Sequence, residues 1–167
     1  MRSNTPNMNL SVHAIMAWLE DVKDPEIPTL SLVDLGVITA IEIESNRVLV
    51  EITPTFTGCP ALDVMKTEIV DVLRSRGVEN PAVRVSYNQP WTSDKISEKG
   101  RAAIKKFGLA PPPSAALFTE LEVLETAECP RCGGSDTEMK NVFGATLCRS
   151  IYYCNTCREA FEQFKPI

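Results

Sequence analysis

VITAIEIESNRVLVEITPTFTGCPALDVMKTEIVDVLRSRG, residues 37–77, decides the fold. Val37, Thr39, Ile41 and Ile43 fall on one face of an extended run, and so do Val48, Val50 and Ile52. Ser45-Asn46 between the two runs is a turn signal, so residues 37–53 predict a β-hairpin. The loop TPTFTGCP follows. Pro60 suits a first helical turn. Leu62, Met65, Ile69, Val72 and Leu73 then recur at helical spacing until Gly77, which predicts a helix of about four turns.

On the N-terminal side, Ser11 is a plausible cap for a helix carrying Val12, Ile15, Met16, Leu19 and Val22. Asp24-Pro25 and Ile27-Pro28 end it near Lys23. DPEIPTLSLVDLG, residues 24–36, reads as a structured loop. On the C-terminal side, Val83, Val85 and Tyr87 predict a third strand. NQPWTSD is a loop in which Trp91 reads as a hydrophobic anchor. Ser97 and Gly108 bracket a helix over 98–107. The order α-β-β-α-β-α predicts an α+β fold, an α/β sandwich with helices against a small mixed sheet. Pro111-Pro112-Pro113 cannot continue a helix or a sheet interior. The expected organisation is a core-forming domain over 1–110, a linker over 111–126 and a small tail over 127–167.

Charge and composition narrow the function. The chain has 17 Lys/Arg and 22 Asp/Glu for a net charge of -5. The first 126 residues carry the whole imbalance, while the tail has 5 of each sign. Nucleic acid needs a basic patch and is not expected as a partner. One histidine, His13, argues against Ser-His-Asp or Cys-His catalysis and excludes a histidine-rich metal site. No apolar run approaches the roughly 20 residues that span a bilayer, so no membrane association is expected. The opening MRSNTPNMNLSVHAIMAWLEDVKD lacks the uninterrupted apolar core of a targeting segment. The expected compartment is cytoplasmic, where clustered cysteines signal metal or redox chemistry more than disulfides.

Five of the 6 cysteines fall between Cys129 and Cys157. Cys129, Cys132, Cys154 and Cys157 form C-x2-C-x21-C-x2-C. Each two-residue spacing lets a pair of thiolates reach one ion from a tight turn, and two such knuckles complete a tetrahedron, as in a zinc ribbon. Zinc is the preferred ion, and an iron–sulfur cluster, which also takes four cysteines, is the alternative. Cys148 is either a small core residue or an extra ligand. Cys59 lies beside the start of the helix after Pro60. Free backbone N–H groups and the helix dipole there favour a thiolate, which makes Cys59 a candidate for transient metal binding or thiol chemistry. An inert buried cysteine is the competing reading. Asp24, Glu26 and Asp34 can approach it if the loop after the first helix folds that way.

These motifs resemble a family. DPEIP at 24–28, DLG at 34–36 and TPTFTGCPA at 53–61 are similar to the domain shared by iron–sulfur assembly proteins of the SufT and cytosolic-targeting-factor type. PWTSD at 90–94, FGLAPP at 107–112, CPRC at 129–132, FGATLC at 143–148 and YYCNTCREAFEQFKPI at 152–167 resemble the PaaD (PaaJ) family, an accessory component of bacterial phenylacetyl-CoA epoxidase. Ala160 departs from the proline usual in that family after CRE. The resemblance implies a non-catalytic accessory subunit in phenylacetate degradation that assembles or matures iron or iron–sulfur centres. The implied partners are the oxygenase and reductase components. It also implies that Cys59 is the functional cysteine of the first domain and that the four ribbon cysteines bind metal. Asp24, Glu26 and Asp34 belong to the matching loop motifs.

A diiron carboxylate centre needs Glu-x-x-His pairs, and this chain has none. It also lacks a glycine-rich dinucleotide fingerprint. The competing functions are a zinc-stabilised adaptor that docks epoxidase subunits without metal transfer and, less favoured, a thiol redox protein. An exposed edge of the hairpin makes a homodimer plausible.

Overall fold

The computed structural model describes residues 10–44, 47–113 and 127–166. The expected Ser45-Asn46 turn and linker residues 114–126 lie outside them. Helix α1 (Val12–Leu19) starts where the Ser11 hydroxyl accepts from the Ala14 N–H at 3.2 Å, as an N-cap should. It stops at Leu19, short of the expected Lys23. The Asp21 and Val22 amides turn back onto the Trp18 and Leu19 carbonyls. The Val22 carbonyl then accepts from the Leu32 N–H at 3.0 Å, so Val22 already belongs to the next unit.

That unit corrects the reading of residues 24–36 as a loop. Strand β1 (Lys23–Asp24) pairs antiparallel with β2 (Ile27–Ser31), and a single helical turn, α2 (Leu32–Leu35), follows. The cause is a side chain. Asp24 Oδ1 accepts from the Glu26 N–H at 2.8 Å and the Ile27 N–H at 2.9 Å, closing DPEI into a tight turn. Pro28 is exposed in a two-stranded ribbon, where a missing donor is tolerated. Helix α2 closes on Gly36 at φ 74, a left-handed cap that glycine adopts without strain.

Strands β3 (Ile38–Glu44), β4 (Arg47–Ile52) and β5 (Asn80–Val85) form the expected mixed sheet in the order β3-β4-β5. The β3–β4 pair is antiparallel and β4–β5 is parallel, with helix α3 (Leu62–Ser75) making the crossover. Val48, Val50 and Ile52 are buried in one core with Met65, Ile69 and Leu73 of α3. Two expectations shift. An irregular register between Ile38 and Ala40 leaves Thr39 exposed rather than in line with Ile41 and Ile43. Tyr87 lies beyond the end of β5 and is exposed. Across the strands, Arg84 bonds Glu42 and Glu51, each at 2.8 Å.

Trp91 is the anchor that the sequence suggested. It is buried, and its indole N–H donates to the Leu35 carbonyl at 3.0 Å. Helix α4 (Glu98–Phe107) is capped by the Ser97 hydroxyl and closed by Gly108. It packs so tightly on α2 that a Cβ on Gly100 would stand 2.6 Å from the Asp34 carbonyl oxygen.

In the tail, β6 (Thr137–Asn141), β7 (Arg149–Cys154) and β8 (Glu159–Phe164) form an antiparallel sheet. Its buried cluster is small: Ala110, Ala127, Cys129, Tyr152, Cys154 and Phe161. The tail also docks on the first unit. Ala110 bridges β8, with its N–H on the Glu162 carbonyl and its carbonyl receiving the Phe164 N–H, each at 2.9 Å. Phe164 leaves the tail cluster for the large core, its ring centroid 5.9 Å from that of Trp91.

Candidate metal sites

The first knuckle, CPRCG, is closed by the Gly133 N–H on the Cys129 carbonyl at 2.9 Å, with Gly133 at φ 72. The second, CNTCR, repeats the device, with the Arg158 N–H on the Cys154 carbonyl at 2.8 Å and Arg158 at φ 60. The two turns face each other. Cys129 and Cys157 sulfurs are 3.7 Å apart, and Cys132 and Cys154 sulfurs are 3.6 Å apart. All four lie within 4.8 Å of one another. Four thiolates on one tetrahedral ion with bonds of ~2.3 Å would be separated by about 3.8 Å. The set therefore fits a single metal ion. A four-iron cluster puts each thiolate on a different iron and would hold the sulfurs farther apart.

The thiols are also prepared unequally. Backbone N–H groups, that of Cys157 first, bring the Cys154 thiol down to about 7. Burial and the neighbouring sulfurs push Cys157 up to about 12. Such crowding disfavours four free thiolates and favours a shared cation.

Cys59 lies in the loop between β4 and α3 and is half-buried. The helix cap is Ala61, so Pro60 precedes the helix rather than opening it. The expectation of a thiolate favoured by the helix start is reversed. Burial is the largest influence and pushes the thiol up, helped by Glu26 and Asp24, against hydrogen bonds from the Ala61 and Leu62 amides. Glu26 lines one small cavity with Cys59, and Asp24 acts on it electrostatically. Asp24 is itself buried, and burial raises its carboxyl.

Asp34 is not brought to Cys59. Its oxygens accept from the Ser31 and Ser97 hydroxyls, each at 2.7 Å, and pair with Lys99 at 3.2 Å, tying α2 to α4. Of the three threonines before Cys59, Thr55 lines the cavity, Thr53 is buried with its hydroxyl unpartnered, and Thr57 is exposed.

The remaining cysteine has the least expected position. Cys148 stands outside the four-sulfur cluster. It packs against the core of the first unit and lines the cavity that holds Cys59.

Comparison with known proteins gives two family matches along the chain. Residues 13–86 match the iron–sulfur cluster assembly protein family, and residues 113–165 match the PaaD zinc beta ribbon domain. An Escherichia coli (strain K12) protein, named as the D component of a "Putative 1,2-phenylacetyl-CoA epoxidase", is 32% identical over 93% of each chain. The chain belongs to the PaaD family. The Bacillus subtilis (strain 168) protein named Fe-S protein maturation auxiliary factor YitW is 33% identical over 54% of this chain and 89% of its own. It matches only part of the PaaD architecture. A crystal structure of a DUF59 domain from Bacillus anthracis covers 55% of this chain and 89% of its own, with 27% identity and a TM-score of 0.52.

The PaaD pattern thus joins an assembly-type domain to a ribbon. Sequence spacing found the four clustered cysteines, because the C-x2-C pairs are local. It did not find Cys148's neighbours, Arg149 or Lys165, because they act across the seam. Arg149 is buried; its guanidinium donates to the Glu26 carbonyl at 2.9 Å and pairs with Glu162 at 3.2 Å. Among the described residues, no helix is long and apolar enough to cross a membrane.

Proposed function

We propose that this chain is a non-catalytic accessory subunit of a cytoplasmic phenylacetyl-CoA epoxidase system, acting in phenylacetate breakdown. It assembles or matures the iron or iron–sulfur centres of the oxygenase or reductase component. The observation that carries this reading is Cys59, a half-buried free thiol beside Glu26 and Asp24 on an assembly-type domain. A protonated thiol among carboxylates is a poor nucleophile. It is a reasonable ligand for a cation, which would displace the proton and offset the negative field. In this reading iron is cargo.

The ribbon has a different job. We read its ion as zinc, held by Cys129, Cys132, Cys154 and Cys157. Zinc there supplies folding energy to a tail with a very small apolar core.

Cys59→Ser tests the reading. Cells carrying this variant should make a folded subunit yet yield epoxidase components low in iron and activity. Fully loaded, active components would overturn it. A second reading, a metal-stabilised adaptor, is favoured by the exposed Val142, Phe143 and Leu147 in the segment between β6 and β7. That reading predicts normal maturation with Cys59→Ser and loss of subunit association with Phe143→Ser.

A further inference from the structure

Cys59 belongs to the first unit, but part of the wall beside it does not. Thr146, Leu147 and Cys148 of the tail line the same small cavity, and the rest of the lining, Glu26 and Phe56 included, comes from the first unit. The cavity measures about 20 Å³. A water needs about 10–15 Å³, so a side chain of another protein has no room there while the tail wall stands.

The wall is tied to the first unit by named contacts. Cys148 Sγ lies 3.8 Å from Glu26 Oε2, and the Arg149 guanidinium donates to the Glu26 carbonyl at 2.9 Å. Lys165 braces it from behind. Its N–H donates to the Cys148 carbonyl at 2.9 Å and its ammonium to the Leu147 carbonyl at 2.8 Å. The same ammonium stands 5.9 Å from the centroid of the Phe56 ring.

This wall is one end of the metal-site hairpin. Cys148 immediately precedes β7, and Lys165 immediately follows β8. The two strands pair Arg149 with Phe164 at the seam and Cys154 with Glu159 at the second knuckle. Six residues of strand place those ends roughly 17 Å apart. Ligand cysteines thus sit at the turn of the hairpin, and the Cys59 wall sits at its open end. Phe164 and Ala110 fix β8 to the first unit, so the wall leaves only if the sheet itself loosens. The tail's own buried cluster is small, which makes the sheet depend on its metal.

We propose that the docked ribbon is a cover for Cys59 and that its metal keeps the cover shut. The loaded tail shields the thiol, and loss of the metal or of the seam uncovers it. The purpose of the cover, control over when a metal-handling thiol meets its partner, rests on the maturation reading. The shielding itself does not.

The test is the rate at which iodoacetamide alkylates Cys59 in the full chain, read on the Cys59 peptide by mass spectrometry. A shielded thiol reacts through its opened fraction. The zinc-loaded wild type should react more slowly than the denatured chain at the same pH. Removing zinc with a chelator should speed alkylation about tenfold or more. Zinc-loaded Arg149→Met, which loses the bond to the Glu26 carbonyl, should react about fivefold faster or more. Zinc-loaded Leu147→Ala, which thins the wall alone, should show a smaller acceleration. Hydrogen exchange in α3 reports whether the first unit stays folded. Wild-type Cys59 reacting as fast as in the denatured chain would overturn the cover. So would an unchanged rate after zinc removal when the tail amides exchange freely and α3 stays protected. If zinc removal also unfolds α3, the zinc-loaded variants decide: acceleration in Arg149→Met supports the cover, and no acceleration in either variant overturns it. The maturation reading survives that loss and falls only if Cys59→Ser cells yield fully loaded epoxidase.

Discussion

Cys129, Cys132, Cys154 and Cys157 come from two turns of one small sheet and meet within 4.8 Å of one another. Cys59 and Cys148 come from separate units and line one cavity only because the tail is docked. The first arrangement is closed by backbone hydrogen bonds inside each knuckle. The second depends on Arg149, Phe164 and Ala110, none of which lines the cavity. The contrast separates holding from handling. In the proposed reading the first arrangement holds an ion, while Cys59 in the second handles one in transit.

The strongest way to break the comparison is to remove the ribbon metal. A strong chelator, or Cys154→Ser, should unfold the tail, since structural zinc contributes ~10–16 kcal/mol in ribbon-sized peptides. Hydrogen exchange should then rise across residues 127–166 while α3 and β4 stay protected. Exchange rising equally in both units would contradict the separation. The seam comes next. Phe164→Ala removes a buried ring from the larger core and should cost about 3–5 kcal/mol in denaturant unfolding. Arg149→Met should cost about 1–3 kcal/mol by leaving the Glu26 carbonyl and Glu162 Oε2 without the guanidinium donor.

Asp34 sharpens the comparison within the first unit. Burial works against its charge, but the Ser97 and Ser31 hydroxyls and Lys99 outweigh it and hold the carboxyl below its ordinary value. A lowered folded value means that its stabilisation is full above the unfolded carboxylate range, near 3.9, and is lost as pH falls through the folded value. Asp34→Asn should therefore be less stable than wild type at neutral pH, and the gap should close below about pH 3.9. Metal at Cys59 should be unaffected by it. The smallest effect is Arg158→Gly. Arg158 is exposed at φ 60 where the matching position of the first knuckle is glycine. Relieving the left-handed strain should gain up to about 1 kcal/mol in thermal unfolding of the tail.

What could be read in the sequence follows the range of each interaction. The strands β3 and β4, helices α3 and α4, and both knuckles rest on periodicity or spacing within a few residues, and those signals are present in the chain. The DPEI turn rests on two hydrogen bonds that the Asp24 carboxylate accepts from the Glu26 and Ile27 amides, and two prolines concealed the strand that follows. The placement of Cys148 rests on single contacts between distant residues, such as Arg149 with Glu26, and no local pattern encodes these. For the same reason Asp34 looked like a neighbour of Cys59 and is instead the tie between α2 and α4.

The most direct test of holding against handling is metal transfer. The zinc-loaded chain is charged with ferrous iron under argon and mixed with metal-free oxygenase or reductase component, and iron and zinc are counted in each after separation. The account predicts that iron moves to one of those components while zinc stays on the ribbon, and that Cys59→Ser transfers none. Iron transfer undiminished in Cys59→Ser, or zinc leaving with the iron, would contradict it.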